Sequence, residues 1–139
     1  MNKSLNSYFG TAENDYLYAK TGIMNGSNLS NFNVAASLCA QAAEKYMKAV
    51  IEIYDVDNEN SLQLMRTHNN LRLLVNRLRE LFEECPLSSK DYKWLGDFYY
   101  EARYPGDNFV VVNEEDARES LRLVEFLKKW IESIISVDL

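Results

Sequence analysis

Glycine and proline are scarce: five and two in a chain of 139 residues, where ordinary usage would put the pair near ~12%. So few breakers exclude a sandwich or barrel, which needs a turn signal about every 8 to 12 residues, and they suit long helices. Cys39, Cys85 and the single histidine, His68, cannot supply the four nitrogen or sulfur ligands of a structural zinc site. No metal and no cofactor are therefore implied, and the two thiols are expected to be reduced in a cytoplasmic protein, where disulfides are rare. Long apolar runs are missing too. The most apolar stretch, Val34 to Ala43, is interrupted by Ser37 and Gln41 and falls far short of the ~18 residues of a membrane helix. Met1 to Asn6 carries a charge with no apolar region behind it, so no signal peptide is expected. Basic residues are outnumbered 15 to 21, for a net charge of −6, which excludes a protein that coats nucleic acid through general phosphate neutralisation. The length suits one domain, residues 1–139.

What is present is helical periodicity. Glu13 to Asn25 places Tyr16, Ala19, Ile23 and neighbours at spacings of three and four, with Gly26-Ser27 as a stop, and its start is open, since Gly10-Thr11 also suits a cap with Tyr8-Phe9 packed ahead of it. Ser30 to Tyr54 carries two adjacent apolar stripes, one through Ala35, Cys39, Ala42, Tyr46, Ala49 and Ile53 and one through Ala36, Ala40, Ala43, Met47, Val50 and Tyr54. So wide an apolar face predicts a central helix, about 36 Å long. Its remaining stripe is polar, with Glu44 and Lys48 spaced for an i,i+4 pair. Ser61 to Met65 reads as one short helical turn. Thr67 is the expected cap of a third helix that buries Leu71, Leu74, Leu78 and Leu81 and ends at Cys85-Pro86. Ser88 caps a fourth, running to Pro105-Gly106 with Tyr92, Leu95, Tyr99 and Ala102 inward. Phe109 to Val112 reads as a packed loop or a stub of strand. Asn113 caps the last helix, whose acidic first turn suits the positive end of the dipole and whose buried face runs from Leu121 through Val124 and Leu127 to Ile131. Short connections make sequence neighbours antiparallel. The expected fold class is all-α: an up-and-down bundle of four to five antiparallel helices.

In such a bundle the end of the second helix, the start of the third and the end of the fourth share one end, so His68, Arg103 and several tyrosines are expected to converge. Each has a plain structural alternative. A lone histidine at a helix start is a common capping or surface residue, and Arg103 at a helix C-terminus is favourable with the dipole. Arg66, Arg72, Arg77 and Arg79 form a strip without an acid between Ser61 and Arg79. The strip either meets a phosphate or an acidic partner, or is a solvated face beside the acidic Glu52 to Glu59 segment. No Gly-rich phosphate loop and no nucleophile elbow is present.

Three blocks carry a family resemblance: Gln41-Ala42-Ala43-Glu44-Lys45-Tyr46-Met47-Lys48-Ala49, then Thr67-His68-Asn69-Asn70-Leu71, then Ala102-Arg103-Tyr104-Pro105-Gly106. In order and spacing they resemble the HEPN family (higher eukaryotes and prokaryotes nucleotide-binding domain), in its subgroup with an Ala-Arg-Tyr-Pro-Gly signature. The resemblance implies a bundle of four or five helices, a homodimer, and pairing with a small nucleotidyltransferase in a toxin-antitoxin couple. In many members it also implies a metal-independent RNase built on an arginine followed four to six positions later by a histidine. This sequence departs there, because neither Arg72 nor Arg103 is so followed and no arginine precedes His68 at that distance. The family's catalytic residues therefore do not carry over, and His68 and Arg103 stand only as candidates. The resulting expectation is a non-catalytic module that binds a nucleotide, RNA or a nucleotidyltransferase through Lys48, His68, Arg72, Arg103 and Tyr104. The alternatives are an RNase with a rearranged His68/Arg103 site, and a purely structural dimer.

Overall fold

The computed structural model describes residues 7–138; Met1 to Asn6, read above for a signal-peptide pattern, lie outside the described residues. The architecture is an all-α bundle of α1 (Tyr8–Met24), α2 (Asn33–Tyr54), α3 (Glu59–Arg66), α4 (Leu71–Leu81), α5 (Ser89–Gly96), α6 (Phe98–Glu101) and α7 (Glu114–Asp138). Helix starts follow short polar side chains. Ser7 accepts from the Gly10 amide at 3.0 Å, Asn58 from Ser61 at 3.2 Å, Ser88 from Asp91 at 3.3 Å and Asn113 from Asp116 at 2.8 Å. The Ser7 cap extends α1 by a turn and a half beyond the expected start at Glu13 and brings Phe9 against Tyr46, ring edge to face at 5.7 Å.

Helix α2 is the axis. Its alanines are buried on both stripes and admit close neighbours: α1 packs antiparallel to it and α7 parallel. Val112, just before α7, and Phe32, just before α2, are joined by a backbone bond of 3.1 Å. At the far end, Tyr54, Phe82 and Trp130 stack edge to face at 5.3 and 5.6 Å. That aromatic junction explains why α4 ends at Leu81 rather than at the expected Cys85-Pro86: Phe82 turns to extended backbone (φ −127°, ψ 109°) and sends its ring inward. Leu71, Leu74 and Leu78 bury the α4 face as expected, each contributing roughly 2 kcal/mol of apolar burial.

The decisive departure lies in the segment expected to form a single turn. Helix α3 spans two turns, packs on α4 and carries the chain back from the end of α2 toward Lys48, held by Asp55, which accepts from Ser61 and forms an ion pair with Arg77 at 2.7 Å. With α3 counted, the passes alternate strictly. Consequently α4 starts beside the middle of α2, not at its C-terminal end, and Thr67 terminates α3 instead of capping α4. The next pass, α5 and α6, is interrupted only at Asp97, whose backbone stays helical (φ −62°, ψ −25°). It leads Ala102 to the start of α2, where the buried Asn33 side chain donates to the carbonyls of Ala102 (3.0 Å) and Val110 (2.6 Å) and accepts from the amide of Val112 (2.8 Å). Phe109 to Val112 is thus a loop pinned by one side chain, with Val112 buried and Val111 exposed.

Two outcomes follow from this arrangement. Asn33→Ala leaves buried backbone groups unpaired and is expected to cost about 2 to 3 kcal/mol in urea denaturation. Burial raises the Asp55 carboxyl, but bonds from Ser61 and Arg77 outweigh it and hold the group below its ordinary 3.8. A depressed carboxyl contributes stability that is complete above the ordinary value and is lost as pH falls through the folded one. Arg77→Leu should therefore flatten the acid limb of the stability profile measured between about pH 6 and pH 2.

Candidate functional site

Halfway along α2, two charged residues one turn apart are enclosed: Glu44 is 3% exposed and Lys48 1%. Their mutual contact is 3.8 Å, too long to satisfy either alone. Both instead grip the segment between α3 and α4. The Lys48 ammonium donates to the Thr67 carbonyl at 2.5 Å, and Glu44 Oε1 accepts from the Asn69 amide. To present that amide, Asn69 adopts a left-handed backbone (φ 57°), which asparagine tolerates better than most residues. Burial lowers the Lys48 pKa, and the Glu44 charge partly offsets the shift.

Between the two gripped residues sits His68, its Nδ1 3.6 Å from Glu44 Oε2 and its side chain 66% exposed. The α5–α6 pass closes the other side. At Gly96 an added Cβ would stand 3.2 Å from the Asn69 side-chain oxygen, so the absence of a side chain there admits the Asn69 turn. Three residues on, Tyr99 is half-buried, and its hydroxyl pKa is raised first by burial and then by the Glu44 charge. The Arg103 guanidinium lies 5.7 Å from the Tyr99 ring and 5.1 Å from that of Tyr104, within cation–π range.

The five sequence candidates thus fall into three places. Lys48 forms the floor and His68 the rim directly above Glu44. Arg103 lies against the Tyr99 and Tyr104 rings after α6, and Tyr104 lines a separate cleft with Tyr100 and Phe109. Arg72 stands in the first turn of α4, in a cleft of about 260 Å³ with Asn69, Asn70, Lys93 and Asp97. Within the arginine strip, Arg77 is neutralised by Asp55 and Glu80, whereas Arg66, Arg72 and Arg79 are exposed. Sequence reasoning paired Glu44 with Lys48 but missed Glu44 as the centre of the site, and it missed Asn69 and Tyr99. The available signal was a charged pair on a helix whose two apolar stripes leave little surface free.

The profile of one protein family, described as the HEPN domain, matches residues 6–134. Neither a curated protein nor a solved structure was found to match the chain.

Removing one member of a buried ion pair leaves an uncompensated charge, so Lys48→Met should cost about 3 to 5 kcal/mol. The double variant Glu44→Gln with Lys48→Met should be more stable than Lys48→Met alone, a coupling that a double-mutant cycle in urea measures directly.

Proposed function

This chain belongs to the HEPN domain family, and we propose that it is a single-domain, non-catalytic binding module of the Ala-Arg-Tyr-Pro-Gly subgroup, acting in the cytosol. Its ligand is phosphate-bearing, a nucleotide or an RNA end, taken up where His68, Arg72 and Arg103 surround the Glu44 turn. One observation supports this reading: the exposed His68 lies in the turn gripped by Glu44 and Lys48, and the exposed Arg72 follows it in the first turn of α4, while the chain as a whole is acidic. Arg72 and Arg103 have no ion-pair partner among the described residues. A guanidinium so placed can hold a phosphate through paired N–H donors. Self-association into a homodimer, which would double the site, and pairing with a nucleotidyltransferase in a toxin-antitoxin couple belong to the same proposal through the family.

A second reading, RNA cleavage, is favoured by the approach of His68 Nδ1 to within 3.6 Å of Glu44 Oε2, since an exposed histidine beside a carboxylate suits general acid–base work. One experiment separates the two. Fluorescence anisotropy with nucleotides and 5′-labelled short RNAs is expected to show saturable binding, weakened about 10- to 100-fold by Arg103→Ala, with the RNA recovered intact on gels. Cleavage that disappears in His68→Ala would assign the RNase reading instead. Absence of binding to nucleotides, RNA and a nucleotidyltransferase alike would leave a purely structural dimer.

A further inference from the structure

The start of α4 and the end of α5 enclose the cleft of about 260 Å³ that Arg72 borders, and its wall carries polar groups of two kinds. Donors come first. Arg72 and Lys93 are both exposed, and Arg72 has no ion-pair partner among the described residues. The first-turn amides of α4 add to them, because a helix start leaves its first N–H groups without intrahelical partners. The Asn70 side chain does not cap them; it donates instead to Thr67 Oγ1. Acceptors share the same cleft. The Asp97 carboxylate lies 3.6 Å from the Lys93 ammonium, and the side-chain oxygens of Asn69 and Asn70 are buried without a hydrogen-bond partner. A buried carbonyl left unpaired is costly, so turning either amide toward a donor that enters the cleft is favourable.

This mixture sorts ligands. A bare anion satisfies the cations and amides but leaves the two amide oxygens unmet and is repelled by Asp97; a bare cation has the converse difficulty with Arg72 and Lys93. A group with a phosphate at one end and hydroxyls at the other uses both sets. Phosphate accepts paired bonds from a guanidinium and further bonds from helix-start amides, while ribose hydroxyls donate to a carboxylate, as they do in dinucleotide sites. Among the described residues no aromatic side chain lines the cleft to stack a base. Its volume also falls below the ~300 Å³ at which pockets for whole drug-sized ligands begin, so it suits part of a nucleotide.

We propose that this cleft seats the ribose 5-phosphate portion of a free ribonucleoside 5′-monophosphate. The phosphate lies on Arg72 and the first-turn amides of α4 with Lys93 assisting, and the 2′,3′-diol donates to Asp97 and to the amide oxygens of Asn69 and Asn70. The proposal rests on the reading that the ligand bears a phosphate and narrows it, since a free diol distinguishes a mononucleotide from an RNA 5′ end, whose 3′ oxygen is esterified.

The test is an amide NMR titration of the full chain with adenosine 5′-monophosphate, its 2′-deoxy counterpart, ribose 5-phosphate, inorganic phosphate and a 5′-phosphorylated short RNA. Adenosine monophosphate and ribose 5-phosphate are expected to shift the Arg72, Leu73 and Gly96 amides saturably. The ribonucleotide should bind about threefold to tenfold more tightly than the deoxy form, and more tightly than inorganic phosphate. Arg72→Ala should weaken it about 10- to 100-fold. Asp97→Ala should erase the preference over the deoxy form without weakening inorganic phosphate. Arg79→Ala, in the same basic strip but outside the cleft, should leave every midpoint unchanged. Equal midpoints for the ribo and deoxy forms would overturn the proposal, as would inorganic phosphate binding as tightly as the nucleotide or an Arg72→Ala variant that binds normally. RNA binding without mononucleotide binding would overturn it while the phosphate reading stands. No response to any of the five probes would end both.

Discussion

A carboxylate and an ammonium one helical turn apart in the middle of α2 hold the turn from Thr67 to Asn69 by its backbone, Lys48 through a carbonyl and Glu44 through an amide. Burying both charges is costly unless each finds additional partners, and the backbone of that turn provides them. The direction of α4 follows, because the chain must enter it beside Glu44. So does the position of His68, which lies between the two clamped residues, and so does the need for Gly96, where the next pass comes against Asn69. Most of the candidate site is thus a consequence of how one buried pair is satisfied.

The clamp also explains why the basic residues of an acidic chain are unequal. Arg77 is spent on Asp55 and Glu80, holding α3 in place, and Lys48 is spent on Thr67. The exposed Arg72 follows the clamped turn at the start of α4. A chain with net charge −6 can in this way present a small cationic region without becoming a general nucleic-acid binder, since the effective field is local and the remainder of the surface repels phosphate.

Legibility varied with the range of the forces involved. The apolar stripes of α2, α4 and α7, and the caps Ser88 and Asn113, depend on side-chain period and on bonds three residues long, and both could be read from the chain. Boundaries shifted where a distant partner intervened. The ring of Phe82 left its helix for Tyr54 and Trp130, and Asn33 fixed the end of the fifth pass from 69 residues away. Ser61 to Met65 was underestimated because the bonds that stabilise α3 run to Asp55 and Arg77, outside any local window.

The sequence by itself determined that the chain is all-helical, most of the residues that form the core faces, though Ile53 is exposed and Leu81 only half-buried, and that Glu44 and Lys48 share a helix face with His68 opening a later segment. Those properties follow from the absence of breakers and from helical period. Only the tertiary structure decided that α3 is a separate pass, that α4 therefore starts beside Glu44, and that the Arg103 guanidinium lies against the Tyr99 and Tyr104 rings. The physical reason is that a few long-range polar bonds, at Asp55, Glu44, Lys48 and Asn33, choose among chain paths that local periodicity leaves equal. The scarcity of glycine and proline allowed long helices; the buried polar groups set where they begin, end and meet.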